Sequence, residues 1–348
     1  MTRYLLAGGG TAGHVNPLLA VADRILAREP DAVILVLGTA EGLESRLMPA
    51  RGYELLVVAR LPFPRRPDAS AVRFPGRFAR LVEQIRALIR EHHIDVVVGF
   101  GGYVSAPAYL AARRERVAIA IHEANARPGM ANRLGARLTR FVGMPLRREI
   151  ESLHRPTERA EALDFFGLSP SRPTLLVTGG SQGARHINET VNAAAATIIG
   201  AGWQILHVTG ERSLLPPTGL AHYLLVPYCD RMDLALAAAD LAVARAGAAT
   251  VSEFTALGVP AVYVPLAIGN GEQRLNARDV VNAGGALIVE NDEFTPRWIL
   301  DHLVPLLEDR ARIAGMAART LPVGVLDGAD RMVDLVGDAL ASTVGLST

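Results

Sequence analysis

Two glycine-rich turns, one opening each half of the chain, most constrain its fold. The first turn, Gly8–His14, follows the apolar run Tyr4–Ala7 and precedes a helical pattern. The second turn, Gly179–Gly183, follows the apolar run Thr174–Thr178 and also precedes a helical pattern. Glycines let the backbone approach a ligand closely, and the free N–H groups at a helix start favour an anion. The pair predicts two doubly wound domains that face each other across a cleft.

Short apolar runs alternate with longer helical patterns along the whole chain. Most runs are continuously apolar, as strands buried on both faces should be. The predicted strands are Tyr4–Ala7, Val33–Leu37, Leu55–Val58, Val96–Gly99, Val117–Ile121, Thr174–Thr178, Gln204–Val208, Tyr223–Val226, Leu241–Ala244, Ala261–Val264 and Ala286–Val289. The alternation predicts an α/β fold with right-handed βαβ crossovers and parallel sheets. We expect an N-terminal domain over residues 1–143, a C-terminal domain over 144–328, and a last helix, about 329–348, that packs back on the first domain.

The composition excludes several classes of protein. The 348 residues are enough for two domains with separate cores, and a net charge of +1 gives no field that favours nucleic acid. The single cysteine, Cys229, excludes an internal disulfide and a multi-cysteine metal site, and it fits a reducing cytoplasm. There is no secretory signal pattern and no uncharged apolar run of about 18 residues, so we expect neither export nor a membrane span.

Polar side chains follow two predicted elements of the first half. His14 ends the first glycine turn at a helix start, where it could accept a proton from a substrate hydroxyl; the alternative is that it caps the helix or orients the loop. His122, Glu123 and Asn125 follow the strand Val117–Ile121, where open α/β sheets bind ligands. Asn125 suits a sugar hydroxyl or amide because it offers a donor and acceptors. A hydrogen bond between His122 and Glu123 is the structural alternative.

Three further turns follow predicted strands. Phe100–Ser105 is either a ligand-binding turn or a purely structural one. Arg245–Thr250 consists mostly of small residues and suits close approach to a diphosphate or a base. Glu253, just beyond it, either caps a helix or accepts hydrogen bonds from the two hydroxyls of a ribose. Gly269–Asn276 is polar and glycine-rich, and Gln273 within it shares a helix face with the last residue of the turn.

A segment rich in arginine and aromatic residues lies between residues 60 and 90. Its arginines are Arg60, Arg65, Arg66, Arg73, Arg77, Arg80, Arg86 and Arg90, and its apolar residues include Leu61, Phe63, Phe74, Phe78, Leu81 and Ile85. A basic face beside exposed aromatic side chains suits an anionic membrane surface. The alternative is a solvated helix face.

Taken together and in this order, these motifs resemble the MurG family of glycosyltransferases over nearly the whole chain. The matching segments are Gly9–His14, Gly101–Pro107, His122–Asn125, Thr178–Arg185 and Arg245–Ala248, and Gly269–Asn276 is similar to the actinobacterial branch. The resemblance implies a GT-B fold of two Rossmann-like domains. It also implies an inverting hexosyltransferase that moves N-acetylglucosamine from UDP-N-acetylglucosamine to the C4 hydroxyl of N-acetylmuramic acid in undecaprenyl-pyrophosphoryl-N-acetylmuramyl-pentapeptide (lipid I), which yields lipid II of peptidoglycan.

The resemblance also assigns residues. It implies contacts with UDP-N-acetylglucosamine for Thr11, Ala12, Gly13, Asn125, Arg147, Ser181, Gln182, Cys229, Ala248, Ala249, Thr250, Glu253 and Gln273. It implies contacts with the acceptor or the membrane for Gly102, Tyr103, Arg73, Arg77, Arg80, Phe74 and Phe78. We expect His14 to be the catalytic base, with Glu123 as the second candidate. No cofactor and no metal are expected, because N–H groups at the second glycine turn can stabilise the leaving diphosphate.

The implied partners are UDP-N-acetylglucosamine, lipid I, an anionic membrane surface and cell-wall or division proteins, at the cytoplasmic face of the cell membrane. Three departures from the family stand out: Ala12 and Glu272 replace a glycine and a glutamine, and the segment 140–143 is shortened. The alternatives are a catalytically impaired nucleotide-sugar-binding homologue, a UDP-N-acetylglucosamine 2-epimerase and an antibiotic glycosyltransferase. A dinucleotide dehydrogenase is disfavoured because the first turn lacks a convincing combination of G-x-G-x-x-G with an acid at the end of the second strand.

Overall fold

The computed structural model describes residues 1–64, 69–126, 129–138, 142–143, 148–180, 183–211, 213, 215–216, 218–266 and 271–344. The chain divides into two compact units. The N-terminal unit comprises Met1–Arg148 and Asp327–Thr348, and the C-terminal unit comprises Glu149–Leu326. The domain boundary expected after residue 143 stays a prediction, because residues 144–147 lie outside the described residues.

Among the described residues, the N-terminal unit contains a six-stranded parallel sheet in the order β3-β2-β1-β4-β5-β6. The strands are β1 (Arg3–Gly8), β2 (Val33–Gly38), β3 (Glu54–Val57), β4 (Val96–Gly101), β5 (Ala118–His122) and β6 (Val142–Gly143). The helices are α1 (Ala12–Arg28), α2 (Glu44–Ala50), α3 (Ala69–Glu91), α4 (Ser105–Glu115), α5 (Met130–Gly135) and α6 (Arg148–Glu151), which crosses into the second unit. Apolar side chains on both faces of the sheet form two buried clusters, so the strands read as continuous apolar runs.

The C-terminal unit repeats this plan, with a described sheet of six parallel strands in the order β12-β11-β10-β7-β8-β9. The strands are β7 (Thr174–Thr178), β8 (Gln204–Val208), β9 (Tyr223–Val226), β10 (Leu241–Ala244), β11 (Ala261–Tyr263) and β12 (Ala286–Ile288). The helices are α7 (Arg155–Phe165), α8 (Arg185–Gly200), α9 (Met232–Ala238), α10 (Ala248–Ala256), α11 (Glu272–Asn282), α12 (Pro296–Trp298), α13 (Val304–Glu308) and α14 (Arg310–Thr320). A π turn, Ile299–Leu303, joins α12 to α13, and a 3-10 turn, Leu321–Val323, follows α14.

The last helix, α15 (Gly328–Val344), returns to the N-terminal unit and packs against α1 and β5. Its buried residues Met332 and Val336 belong to the core cluster of that unit. Arg28 of α1 donates to both Asp330 and Asp334, each at 2.5 Å. Apolar contacts and these ion pairs together attach the end of the chain to its first helix.

The predicted fold class is confirmed: both units are α/β with parallel sheets, and all eleven predicted strands are present with ends that shift by at most two residues. The sequence pattern missed β6, which has two residues and is too short to produce a periodic signal. Ala12 is the first residue of α1, so its backbone is right-handed helical and its φ is negative, as a methyl at this position requires.

Both sheets place their first strand at the point where the strand order reverses. In the N-terminal unit this point lies between β1 and β4, and in the C-terminal unit it lies between β7 and β10. Ligands of open α/β sheets bind beyond the carboxyl ends of the strands at such switch points. The two glycine turns follow β1 and β7, so each lies at the switch point of its own unit.

Candidate active site

The imidazole of His14 is held by the turn that precedes it. The carbonyl oxygen of Thr11, in extended backbone just before α1, accepts from the N–H groups of His14 and Val15, each at 3.1 Å. Nδ1 of His14 lies 3.0 Å from the carbonyl oxygen of Gly9. A carbonyl oxygen only accepts hydrogen bonds, so Nδ1 carries the proton. In the neutral ring Nε2 is therefore the nitrogen that can accept a proton from a substrate.

Nε2 of His14 faces the glycine pair that ends β4. A Cβ on Gly101 would lie 2.8 Å from Nε2, and the φ of Gly101 is +98°, which L side chains rarely adopt. The hydroxyl of Ser105, in the first turn of α4, accepts from the N–H of Gly101 at 2.9 Å and lies 2.8 Å from the carbonyl oxygen of Ala7. This bridge fixes the turn after β4 against β1. The turn Phe100–Ser105 thus forms the surface that Nε2 faces.

A buried carboxylate lies behind the first glycine turn, which precedes His14. Glu44, the first residue of α2, is fully buried and accepts hydrogen bonds from the N–H of Gly10 at 2.8 Å, the N–H of Thr39 at 2.9 Å and the hydroxyl of Thr39 at 3.0 Å. Sequence reasoning missed this residue. Gly38 and Gly42 lie around it, and a Cβ at either position would collide with the Glu44 side chain, but in the sequence these glycines do not mark Glu44 as buried.

His122 and Glu123 have different surroundings. His122 is buried, its ring centroid lies 5.4 Å from that of Phe100, and burial, with a smaller effect from His14, lowers its pKa to about 3. It is therefore neutral at physiological pH. Glu123 is half-buried, and its carboxylate accepts from the N–H of Asn125 at 2.9 Å and from the N–H of Gly129 at 2.9 Å.

The side-chain amides of Asn125 and Asn132 add hydrogen bonds to the Glu123 carboxylate at 3.1 and 3.0 Å. Each carboxylate oxygen thus already accepts two hydrogen bonds. This arrangement favours a role for Glu123 in holding the loop after β5. The assignment of Glu123 as a second candidate base stays a prediction.

A pocket adjoins the first glycine turn within the N-terminal unit. It is lined by Gly9, Gly10, Thr39, Glu41, Gly42, Glu44, Arg60, Tyr103 and Val104. The guanidinium carbon of Arg60 lies 5.3 Å from the centroid of the Tyr103 ring, within range of a cation–π interaction. The pocket therefore combines backbone groups, one arginine and acidic side chains next to the turn that holds His14.

In the C-terminal unit the second glycine turn is fixed by close backbone contacts. Gly183 has a φ of +75°, and a Cβ there would lie 2.1 Å from the carbonyl oxygen of Thr209. The N–H of Gly180 donates to the hydroxyl of Thr178 at 3.2 Å. Helix α8 begins at Arg185, and the side chain of its N-cap residue, Ala184, makes no capping hydrogen bond. N–H groups of this kind are suited to an anion.

The other predicted donor contacts of this unit lie on α10, on α11 and after β9. Ala248, Ala249 and Thr250 form the first turn of α10, and Glu253, in its second turn, is 7% exposed. Cys229 is half-buried in the turn between β9 and α9.

Two side chains of α11 tie it to the turns after β10 and β11. Oε1 of Gln273 accepts from the N–H of Leu266 at 2.9 Å, and the amide of Asn276 donates to the carbonyl oxygen of Ala246 at 3.1 Å. Arg245 donates to the carbonyl oxygens of Val264 and Pro265, each at 3.0 Å. Hydrogen bonds thus connect the segment after β10, the segment after β11 and α11.

Apart from those on α3, the predicted site residues fall into four groups. The first group lies just beyond the carboxyl ends of β1, β4 and β5, with Gly13 and His14 in the first turn of α1, and consists of Thr11, Gly13, His14, Gly102, Tyr103, Glu123 and Asn125. Cys229, Ala248, Ala249, Thr250, Glu253 and Gln273 belong to the C-terminal unit. Arg147, Ser181 and Gln182 lie outside the described residues. Ala12 is placed by its backbone alone, as the start of α1.

From residue 69 onward the arginine–aromatic segment lies on α3, and Arg65 and Arg66 lie outside the described residues. Arg73, Arg77 and Arg80 are exposed, and within the described part of the chain none of them pairs with a carboxylate. The aromatic side chains were expected to be exposed, but Phe74 and Phe78 are half-buried against the core. Their ring centroids lie 5.5 Å apart, because residues four positions apart share one face of a helix.

Comparison with known proteins identifies the family. Residues 4–144 match the model of the glycosyltransferase family 28 N-terminal domain, and residues 174–332 match that of the family 28 C-terminal domain. This chain belongs to glycosyltransferase family 28. It is therefore a glycosyltransferase, and the predicted resemblance to the MurG family is confirmed by the relatives described next.

The sequences of those relatives align with this chain over nearly their full length. It is 61% identical to the UDP-N-acetylglucosamine--N-acetylmuramyl-(pentapeptide) pyrophosphoryl-undecaprenol N-acetylglucosamine transferase of Leifsonia xyli subsp. xyli, over 98% of this chain and 100% of the relative. It is 47% identical to the transferase of the same name from Streptomyces coelicolor, over 98% and 99% of the two chains.

Among solved structures, MurG of Acinetobacter baumannii is similar with a TM-score of 0.76 and 27% identity, covering 97% of this chain and 100% of that chain. A UDP-GlcNAc 2-epimerase of Neisseria meningitidis is similar with a TM-score of 0.69 at 12% identity, over 97% and 100% of the two chains. The second likeness reflects the fold alone. The expected GT-B fold class is confirmed.

Among the described residues, no three His, Cys, Asp or Glu side chains are grouped so that they could hold a metal ion. In the same part of the chain, no helix combines the length and the apolar character needed to span a bilayer.

Proposed function

We propose that this enzyme transfers N-acetylglucosamine from UDP-N-acetylglucosamine to the C4 hydroxyl of the N-acetylmuramyl group of lipid I, with inversion at the anomeric carbon. The observation that carries the proposal is the hydrogen bond from Nδ1 of His14 to the carbonyl oxygen of Gly9, at 3.0 Å. It leaves Nε2 as a proton acceptor at a switch point, in a chain whose family relatives are named for this transfer.

In the proposed reaction the acceptor C4 oxygen attacks the anomeric carbon while its proton passes to Nε2 of His14. The bond from the anomeric carbon to the diphosphate oxygen breaks, and UDP leaves with the electron pair. Negative charge grows on the diphosphate in the transition state. The first N–H groups of α8, with Ser181, Gln182 and Arg147, are the proposed donors that stabilise this charge.

The remaining predicted contacts complete the proposal. Glu253 accepts from the ribose hydroxyls, the backbone at Cys229 reads the uracil, and Ala248, Ala249 and Thr250 lie against the nucleotide. Thr11, Ala12, Gly13, Asn125 and Gln273 lie near the transferred sugar and the diphosphate. Gly102 and Tyr103 contact the lipid-linked acceptor. The proposed reaction involves no metal or cofactor.

The decisive experiment measures transfer of labelled N-acetylglucosamine to a lipid I analogue by wild type and His14→Ala. We expect turnover to fall by roughly 100-fold or more, because general-base catalysis contributes about 10²–10⁴-fold. The dissociation constant of UDP should be unchanged. His93→Asn is the matched control: His93 is exposed at a φ of +49°, which asparagine tolerates.

Each other outcome has a defined meaning. Unchanged turnover in His14→Ala would remove His14 as the base. Donor binding without transfer by the wild type would support the impaired homologue. Conversion of UDP-N-acetylglucosamine to its 2-epimer without acceptor would support the epimerase.

The proposed acceptor is anchored in a bilayer, so the enzyme should bind the cytoplasmic membrane surface peripherally, close to cell-wall or division proteins. The start of α3 supports this, since Arg73, Arg77 and Arg80 are exposed and Val72 beside them is 83% exposed. Replacing the three arginines with glutamine should weaken binding to anionic liposomes. A matched control replaces three exposed arginines elsewhere in this unit, Arg113, Arg116 and Arg137. Equal binding by both triple variants would argue against this surface.

A further inference from the structure

One peptide group joins the buried carboxylate of Glu44 to the imidazole of His14. The carbonyl of Gly9 and the N–H of Gly10 belong to the same planar peptide unit. Its N–H donates to Oε2 of Glu44 at 2.8 Å, and its carbonyl oxygen accepts from Nδ1–H of His14 at 3.0 Å. The order of groups is therefore carboxylate, peptide, imidazole, with Nε2 at the far end.

We propose that Glu44 is a positioning residue for His14 and that it acts through this peptide group. The proposal rests on the proposed role of His14 as the base. A carboxylate that accepts a hydrogen bond from a peptide N–H polarises the peptide, so its carbonyl oxygen becomes a better acceptor. The stronger acceptor holds the proton on Nδ1. It also stabilises the positive charge that the ring acquires when Nε2 takes a proton.

This division of work parallels the Ser-His-Asp triad, in which a buried aspartate accepts directly from Nδ1–H of the histidine. Here one peptide unit lies between carboxylate and ring. The carboxylate touches neither the substrate nor the reacting atoms, so its effect is confined to the tautomer, orientation and charge of His14.

The surrounding backbone is shaped to admit the carboxylate. A Cβ on Gly9 would lie 2.3 Å from Oε1 of Glu44, a Cβ on Gly42 would lie 2.0 Å from Oε2, and a Cβ on Gly38 would lie 2.5 Å from its Cγ. Gly10, whose N–H donates to the carboxylate, has a φ of +90°, a conformation that L side chains rarely adopt. Thr39 satisfies the other carboxylate oxygen through its N–H and its hydroxyl.

A purely structural alternative is that Glu44 only stabilises the start of α2. The two roles separate in Glu44→Gln. The amide has nearly the same shape, but it has no charge and one of its two ends donates. It therefore places an NH₂ group against the N–H of Gly10 or of Thr39, and either orientation removes the negative charge from the peptide.

The test combines turnover with NMR of the imidazole nitrogens in histidine-labelled protein, with the His14 signals assigned by their loss in His14→Gln. In the wild type the Nδ1–H tautomer should dominate. In Glu44→Gln the share of the Nε2–H tautomer should rise and turnover should fall by roughly tenfold to a hundredfold, as expected for the loss of a charge-assisted hydrogen bond. The affinity for UDP should not change.

Tyr53→Phe is the matched control for stability. It removes the hydrogen bond from the buried Tyr53 hydroxyl to Asp23, at 2.5 Å in the same unit, and it should leave tautomer and turnover unchanged. A folded Glu44→Gln protein with the wild-type tautomer would overturn the proposal, whatever its turnover. If the tautomer shifts but the wild type transfers no sugar, the proposed function fails and the positioning role of Glu44 stands.

If Glu44→Gln does not fold, Glu44→Asp replaces it. Aspartate keeps the charge but is one methylene too short to reach both Gly10 and Thr39. We expect a shifted tautomer and reduced turnover in this variant as well. Wild-type values for both would overturn the proposal.

Discussion

The backbone of Gly102 lies directly against that of Gly9. A Cβ on Gly102 would lie 2.7 Å from the carbonyl oxygen of Gly9, and the φ of Gly102 is +82°. The turn after β4 therefore packs backbone to backbone on the turn after β1. The oxygen in this contact is the one that accepts from His14, so the spacing of the two turns also sets the position of the imidazole.

Gly102→Ala should therefore lower turnover by roughly tenfold or more and destabilise the N-terminal unit by about 1–3 kcal/mol, from strained φ and a displaced turn. Turnover and thermal unfolding by circular dichroism measure the two effects. Gly52→Ala is the control, because Gly52 has a φ of +79° but open space around its Cβ position. It should lose stability without losing turnover. Equal turnover in the two variants would contradict the role given to the contact.

Glu123→Gln should lower turnover by less than about tenfold, because the Glu123 carboxylate already accepts four hydrogen bonds from its own loop and from α5. The amide would place one donor against another and loosen that loop. Steady-state kinetics beside His14→Ala separates the two candidates. A loss of 100-fold or more in Glu123→Gln alone would make Glu123 the base.

The stability of the C-terminal unit should depend on His207 below about pH 6.5. Burial lowers the pKa of His207 to about 4. Its ring nitrogens lie 2.8 Å from the Tyr223 hydroxyl and 3.1 Å from Oδ1 of Asn188. Between about pH 4 and 6.5 the unfolded chain binds a proton that the folded chain does not. The contribution of His207 is therefore complete above about pH 6.5 and is lost as the pH falls.

The wild type should accordingly lose roughly 2 kcal/mol more than His207→Gln between pH 7 and pH 5. Urea unfolding followed by tryptophan fluorescence reports on this unit, which contains both tryptophans, Trp203 and Trp298. The exposed His222, with a φ of +67°, supplies the control His222→Asn. Parallel pH dependence in wild type and His207→Gln would show that the ring is not held neutral.

Arg155→Met should destabilise the C-terminal unit by about 3 kcal/mol. The Arg155 guanidinium donates to the carbonyl oxygens of Leu236 at 3.0 Å and Leu257 at 3.2 Å, at the ends of α9 and α10. Burial lowers its pKa to about 10, so it remains charged at neutral pH. Its positive charge interacts favourably with the negative ends of both helix dipoles. Arg278→Met, at a side chain 62% exposed, should change stability by less than about 0.5 kcal/mol. Equal losses in urea unfolding would contradict this role.

The strands and the two glycine turns could be predicted because their signals are local. A continuous apolar run such as Leu175–Val177 predicts a strand in a sheet that is covered on both faces. A glycine turn directly after such a strand is compatible with only a few folds. Glu44 could not be predicted in this way. It lies 34 residues from Gly10, its hydrogen-bond partner, and in sequence it is indistinguishable from an ordinary acidic residue at a helix start.

The misjudged exposure of the α3 aromatics has a related cause. The pattern correctly showed arginines interleaved with phenylalanines, but it could not show that Phe74 and Phe78 turn inward beside Phe63. Tertiary packing decides which face of an amphipathic helix an aromatic ring occupies. For the same reason, the hydrogen bonds to the Glu123 carboxylate could not be predicted, because they depend on how the loop after β5 packs beside α5.

The return of α15 to α1 sets an order of events during synthesis. Met332 and Val336 belong to the hydrophobic core of the N-terminal unit, although they are synthesised after the whole of the C-terminal unit. The C-terminal unit is one continuous stretch, Glu149–Leu326, and emerges whole before them. The C-terminal unit can therefore finish folding first, while the core of the N-terminal unit is completed only after α15 has been synthesised.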